Sequence, residues 1–266
     1  MVTPRTDPPR GVLHTAAVPP PGALARYLPS DPALAGIVEH YWSLRWSVPE
    51  PLQREVLAHP SVHVTVEAGR SAVHGVVTKR FVRVIDGSGW VFGIKFRPGA
   101  FRPFIAAPVS SLNDRQVPLS ELFGADGTAY ESDVLAMEAD EEKVHRAERF
   151  LLERLPAADP SAALAAELAA AVAEDRSLMR VEELAARFGM SVRTVQRLCS
   201  SCIGVSPKWL IKRYRLHDAV EAMNRGGRVD LSQLALQLGY FDQAHFNNEF
   251  RSLTGRSPGE YLRTAG

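Results

Sequence analysis

The chain has 266 residues, 31 Lys and Arg against 30 Asp and Glu for a net charge of +1, and 45% hydrophobic residues. That length predicts about two domains, the composition predicts a globular chain, and the overall charge by itself points to no polyanionic partner. No apolar stretch approaches membrane-spanning length and no secretory core stands near the first residues, so the expected location is the cytoplasm.

In chain order, residues 1–22 carry Pro4, Pro8, Pro9 and Pro19-Pro20-Pro21 with little apolar content, which predicts a disordered leader. Residues 36–96 change to strand patterning. Val38, His40, Trp42, Leu44 and Trp46 alternate with Glu39, Tyr41, Ser43 and Arg45. Val62, Val64 and Val66 alternate with His63 and Thr65, and Trp90, Phe92, Ile94 and Phe96 with Val91, Gly93 and Lys95. Period two with β-branched and aromatic residues predicts antiparallel strands over a core, in a small barrel or sandwich. After Phe96 the pattern turns helical. Asp140–Leu155 is predicted as an amphipathic helix, with Val144, Ala147, Leu151 and Leu155 on its apolar stripe. Pro156 and Pro160 mark a hinge before an Ala-rich helix. The predicted class is α+β: a mostly antiparallel first domain over 23–158 and an all-α second domain over 159–266.

The second domain contains one unit twice. Leu184-Ala185 and Gly189 match Leu234-Ala235 and Gly239 at an offset of 50. Ser191, Val195, Cys199, Gly204 and Ser206-Pro207 match Asp242, Phe246, Phe250, Gly255 and Ser257-Pro258 at 51, so the second copy holds one extra residue in its turn. Each copy predicts a helix, a glycine turn, a capped second helix and a closing glycine. That is a helix-turn-helix, whose second helix enters the DNA major groove. Between the copies, 207–224 predicts a helix of 18 residues, roughly 27 Å long. Such a rod holds two recognition helices near the ~34 Å spacing of successive major grooves.

The stretches SVRTVQRL, GVSPKWLIKRYRL and GYFDQAHFNNEFRSLTGRSPGEYL resemble the DNA-binding domain of AraC/XylS-type transcription regulators, from about Ala162 to Arg263. The resemblance implies a bacterial transcription factor with a seven-helix domain whose recognition helices enter adjacent major grooves. Two departures stand out. Cys199 and Cys202 occupy sites where the family has bulky aromatics, and Asn248 stands where a basic residue is common. WSLRW and FGIKFRPGAF resemble the sensor domain of an actinobacterial branch of these regulators, which implies a domain responsive to an effector or partner.

Arg193, Gln196 and Arg197 lie opposite the apolar stripe of the first recognition helix. Arg pairs with guanine and Gln with adenine in bidentate fashion, and the resemblance places base contacts at these positions. Gln243, Ala244, Asn247 and Asn248 form the corresponding face of the second; His245 either packs or reads. Lys208, Lys212, Arg213 and Arg215 on the connecting helix are expected to neutralise phosphates. Charge supports this division: residues 177–266 hold 13 basic and 8 acidic side chains, the remainder 18 and 22.

His59, His63, Glu67 and His74 invite a metal reading. His63 and Glu67 would lie about 13 Å apart along one strand, too far to share an ion, so no metal site is expected. Cys199 and Cys202 form the only C-x-x-C, with no second pair for zinc, and read as small core residues rather than a redox switch. No nucleophile elbow or phosphate loop appears, and neither catalysis nor a cofactor is expected. The expected partners are double-stranded DNA, RNA polymerase, a small-molecule effector, and a second copy bound through the first domain or the 140–155 helix. The alternative is a sensor or interaction protein with an unrecognised enzymatic or thiol-redox activity in its first domain.

Overall fold

The computed structural model describes residues 3–4, 13, 23–155, 157–225 and 229–265. The first domain is built on the strands β1 (Thr3–Pro4), β2 (Ala23–Leu28), β3 (Val38–Ser47), β4 (Leu52–Val56), β5 (His63–Val66), β6 (Ala72–His74), β7 (Phe81–Ile85), β8 (Ser88–Phe96) and β9 (Gln116–Val117). Seven form one sheet in the order β1-β2-β3-β8-β5-β6-β9, and β4 pairs with β7 as a separate ribbon. Every pairing is antiparallel.

Alternation decides which face each strand buries. Val64 and Val66 of β5 and Phe92, Ile94 and Phe96 of β8 enter the main core, against α1 (Leu119–Ala136) and α2 (Asp140–Leu152). On β3 simple alternation fails. The register with β8 shifts between Val38 and His40, and this bulge puts Val38 and Tyr41 in the same core. Trp42, Leu44 and Trp46 face the other way, into a smaller cluster with Leu52, Ile85 and Val91 under the β4–β7 ribbon. Both faces of the sheet are therefore covered.

Helix α2 ends at Leu152, short of the expected Leu155, which is 41% exposed. Its apolar residues Val144, Ala147, Phe150 and Leu151 are at most 1% exposed against the sheet. Its apolar stripe is therefore taken up by the sheet, and only its polar side, with Glu142, His145 and Arg149, faces outward. Most of the expected leader lies outside the described residues. Of the rest, Thr3–Pro4 pair with β2 and Leu13 is buried against the second helix-turn-helix unit.

The second domain has seven α-helices among the described residues: α3 (Pro160–Glu174), α4 (Val181–Arg187), α5 (Val192–Leu198), α6 (Pro207–Asn224), α7 (Leu231–Gln237), α8 (Gln243–Thr254) and α9 (Pro258–Ala265). Helix α6 has the predicted bounds. It lies between two cores, giving Leu210 and Ile211 to the first and Leu216, Ala219, Val220 and Met223 to the second.

The two domains share packing. Val76 joins the core of the first unit and Leu57 that of the second. Asn113 Nδ2 donates to Gly204 O at 2.6 Å. Arg80 and Arg256 both meet Glu55, the latter at 3.7 Å. Gly204 and Gly255 are equivalent in the two repeats, and both sit against the first domain. A Cβ on Gly204 would lie 2.9 Å from Asn113 Oδ1, and one on Gly255 2.7 Å from Arg80 Cζ. The first domain thus touches the C-terminal end of each recognition helix.

Candidate nucleic-acid interface

The repeat seen in the sequence is a repeat in hydrogen bonding. Gly189 and Gly239 have φ of 62° and 72°, a left-handed conformation that Gly adopts without steric cost. Met190 N donates to Ala185 O at 2.9 Å, and Tyr240 N to Ala235 O at 3.0 Å, so both first helices end in the same way. The recognition helices are capped alike. Ser191 Oγ accepts from Thr194 N at 3.1 Å, and Asp242 Oδ1 from His245 N at 2.7 Å. Removing such a cap costs about 1 kcal/mol.

Helix α5 buries Val195 and Leu198 and continues into a π-helical turn, Cys199–Ile203, whose Cys199, Cys202 and Ile203 are also buried. Arg193, Gln196 and Arg197 are all exposed on the opposite side. The first domain packs on the π-helical turn at the C-terminal end, by way of the 3-10 turn Val109–Leu112. The N-terminal part of α5, the part that meets base edges in such motifs, stays open.

The second recognition helix differs from its expected face. Ala244 and Asn248 are exposed, whereas Gln243 and Asn247 are half-buried. Gln243 Oε1 accepts from Ser232 Oγ at 2.7 Å, and Asn247 Oδ1 is closed off from solvent. The reason is helical phase: 243, 247 and 250 form an i, i+4, i+7 row that ends on the buried Phe250. His245 packs its ring edge-on to Tyr240 at 5.3 Å but keeps its outer side exposed. Sequence reasoning passed over Arg251, which is exposed on the same helix.

The four cations expected at phosphates divide. Lys208 is exposed. Lys212 is 35% exposed and paired with Glu249. Arg215 is half-buried, with Nη2 donating to Met179 O at 2.6 Å beside a cleft of about 250 Å³ between α3, α6 and α7. Arg213 is 1% exposed and does not reach the DNA face. Its Nη1 donates to Ala58 O at 3.2 Å and its Nη2 to Thr78 O at 3.3 Å, and its guanidinium lies 4.3 Å from the Trp209 ring centre. Burial pushes its pKa down to about 10, which still leaves it charged at neutral pH. The expectation for Arg213 is overturned because α6 is enclosed on three sides, by both cores and by the first domain, so few of its positions see solvent.

In the first domain, the sheet face turned away from α1 and α2 carries, beside the apolar cluster of Trp46, Ile85 and Val91, a polar row. His40 and His63 both pair with Lys95, and His63 also pairs with His74, so these residues form one row across four strands. In the next row Trp42 and Thr65 both pair with Gly93, where an added Cβ would lie 2.3 Å from the Trp42 ring. Lys95 Nζ donates to Glu39 at 2.9 Å, and Thr65 Oγ1 bonds His74 Nε2 at 2.7 Å. Burial, then the charge of Lys95, lowers the pKa of His63 to about 3. Burial, then Arg83, lowers that of His74 to about 4. Both rings are neutral at pH 7. Among the described residues no group of three or more His, Cys, Asp or Glu is placed to hold a metal ion. Glu67 is committed to Arg83 at 2.6 Å. The two cysteines are buried and free, and burial pushes the Cys199 thiol up to about 12. A protonated thiol is a poor nucleophile, so this pair does not suit a redox switch.

Two capped helix-turn-helix units on one rigid connector define a double helix-turn-helix domain. Residues 184–264 match a family described as "Helix-turn-helix domain", and residues 25–118 one described as "Domain of unknown function (DUF6597)". Invasion protein InvF of Salmonella typhi and of Salmonella typhimurium is 33% identical over 72 residues, which are 27% of this chain and 32% of that protein. This chain therefore spans about a third of the curated relatives it matches. Among solved structures, ToxT of Vibrio cholerae aligns over 91% of this chain and 97% of its own, with 13% identity and a TM-score of 0.41. The C-terminal domain of AraT, a response regulator from Geobacillus stearothermophilus, aligns over 37% of this chain and 82% of its own, with 23% identity and a TM-score of 0.35. The C-terminal domain of this chain belongs to the AraC-type helix-turn-helix domains.

Proposed function

We propose that this chain is a sequence-specific DNA-binding transcription regulator that places α5 and α8 in successive major grooves. The supporting observation is the free face of α5: Arg193, Gln196 and Arg197 remain exposed although the first domain is docked. These three residues read bases. Exposed Ala244 and Asn248, with Gln243 and Asn247 at the margin, provide a weaker second contact. Lys208 and Lys212 meet phosphates, Lys212 after giving up part of its pairing with Glu249.

The first domain, 23–158, responds to an effector. Its two contacts at Gly204 and Gly255 supply a path from that domain to both recognition helices. In this reading the protein binds rather than catalyses and works in the cytoplasm. The test is selection from random duplex DNA with the full chain at two salt concentrations. Enrichment of one sequence with two parts about one helical turn apart is expected. Binding without enrichment at either salt would reject the reading.

A further inference from the structure

We propose that Phe241 is a specificity-determining residue that recognises the 5-methyl group of a thymine in the major groove. This rests on the DNA-binding reading above. Phe241 is 88% exposed, more than any other large hydrophobic side chain among the described residues; Leu236 follows at 63%. A lone exposed apolar side chain is ordinary, so its position has to carry the inference.

Three observations on that position agree. Tyr240 N bonds Ala235 O as Met190 N bonds Ala185 O, so Phe241 is the residue by which the second turn exceeds the first, between the Gly189–Gly239 match and the Ser191–Asp242 match. Its side chain packs into no core, so the fold does not require it. It also directly precedes Asp242, the cap of α8, and the N-terminal end of a recognition helix is the part that meets base edges.

The second recognition surface has also changed in chemistry. At an offset of 51, Arg193, Gln196 and Arg197 correspond to Ala244, Asn247 and Asn248. The charged readers are gone, a methyl stands where the first unit has Arg193, and Asn247 is half-buried. Phe241 and Ala244 thus add apolar surface at the leading end of α8. In the major groove the thymine methyl is the apolar group that base edges offer, and Phe and Ala are among the side chains that meet it. The first unit is built for guanine and adenine, the second for thymine.

The experiment uses the full chain and the duplex obtained by selection. Each thymine is replaced in turn by deoxyuridine, which removes the 5-methyl group and keeps base pairing. Wild type is expected to lose about fourfold in affinity at one position of the second half-site, the worth of burying one methyl-sized group. Phe241→Ala should bind the thymine duplex about as weakly, with no further loss on deoxyuridine at that position. A thermal melt equal to wild type confirms that the variant folds. The proposal is overturned if no position responds in wild type, or if the variant keeps the full response. Unchanged DNA binding by Phe241→Ala with loss of transcriptional output would assign Phe241 to a protein partner and overturn it as well. Failure of the wild type to select any sequence would instead reject the DNA-binding reading beneath it.

Discussion

Arg213 distinguishes two accounts of the connecting helix, and Arg213→Met tests them. The substitution keeps most of the buried stem and removes the guanidinium, which is 1% exposed and bonded to the carbonyls of Ala58 and Thr78. A hydrogen bond from a charged donor contributes about 1.5 kcal/mol at the low end of its range. The low end applies because removing a charge from the interior also relieves some desolvation. Two bonds give about 3 kcal/mol, lost from the docking of the first domain on α6 rather than from either core. At about 1.4 kcal/mol per factor of ten, the undocked population should rise by roughly two orders of magnitude. Limited proteolysis between the domains, or hydrogen exchange over Ala58 and Thr78, reads this directly. The dependence of DNA affinity on salt should not change, because a phosphate contact contributes about 0.9 to that slope and Arg213 makes none. Unchanged docking together with a slope lower by about 0.9 would refute the reasoning and return Arg213 to the DNA face.

Gln196→Ala and Arg197→Ala should each weaken binding to the selected site by about 1–3 kcal/mol and barely alter binding to random duplex; equal losses on both would make them phosphate contacts. Lys208→Ala should weaken all sequences and lower the salt slope by about one. Lys212→Ala should do so by less, because Glu249 already offsets its charge. His63 and His74 have folded pKa values lowered to about 3 and about 4 from 6.5. Their contribution to stability is therefore complete above pH 6.5 and is lost as pH falls toward those values. Melting temperatures should drop between pH 7 and pH 4, and His63→Gln should flatten that slope; an unchanged slope would assign the loss to other groups. Cys199, with its thiol pushed up to about 12, should resist alkylation at pH 8 in the folded chain and react after unfolding.

The helical domain was legible in the sequence because its signals are local. Capping residues, turn glycines and i, i+3, i+4 spacing each act within a few positions, so the bounds of α6 follow from Pro207 and the absence of Gly before Asn224. Exposure was legible on α5 for the same reason: one buried stripe fixes the opposite face. The losses came where a second neighbour intervened. Arg213 reads as a solvated cation until the first domain encloses α6. Leu155 fits the stripe of α2, but the helix stops three residues earlier. The bulge after Val38 exchanges the faces of β3, and no period-two reading shows a register shift. His63 and His74 are eleven residues apart in sequence and meet only through strand pairing. On α8 the drift of the 3.6-residue repeat turned Asn247 inward.

Residues 159–266 alone test how far the second domain stands by itself. Its two cores are made of its own residues apart from Val76, Leu57 and Leu13. Losing those contacts removes about 1.5–3 kcal/mol of burial per large side chain, which the remaining core should tolerate. The fragment is expected to fold and to select the same sequence, because both recognition helices and α6 lie within it. Geometry should loosen nonetheless. In the full chain the first domain holds Gly204 through Asn113 and lies against Gly255 through Arg80, the same place in each repeat. Without it, α6 and the packing of each unit on it alone set the separation of α5 and α8. The fragment should therefore discriminate less than the full chain against a duplex whose two half-sites are moved apart by one base pair. Titrating both proteins with both duplexes measures the ratio. Equal discrimination would show that α6 sets the spacing unaided and that the contacts at the two glycines play no part in it. Loss of sequence selection by a fragment that keeps its helical circular dichroism would instead show that the first domain takes part in reading DNA.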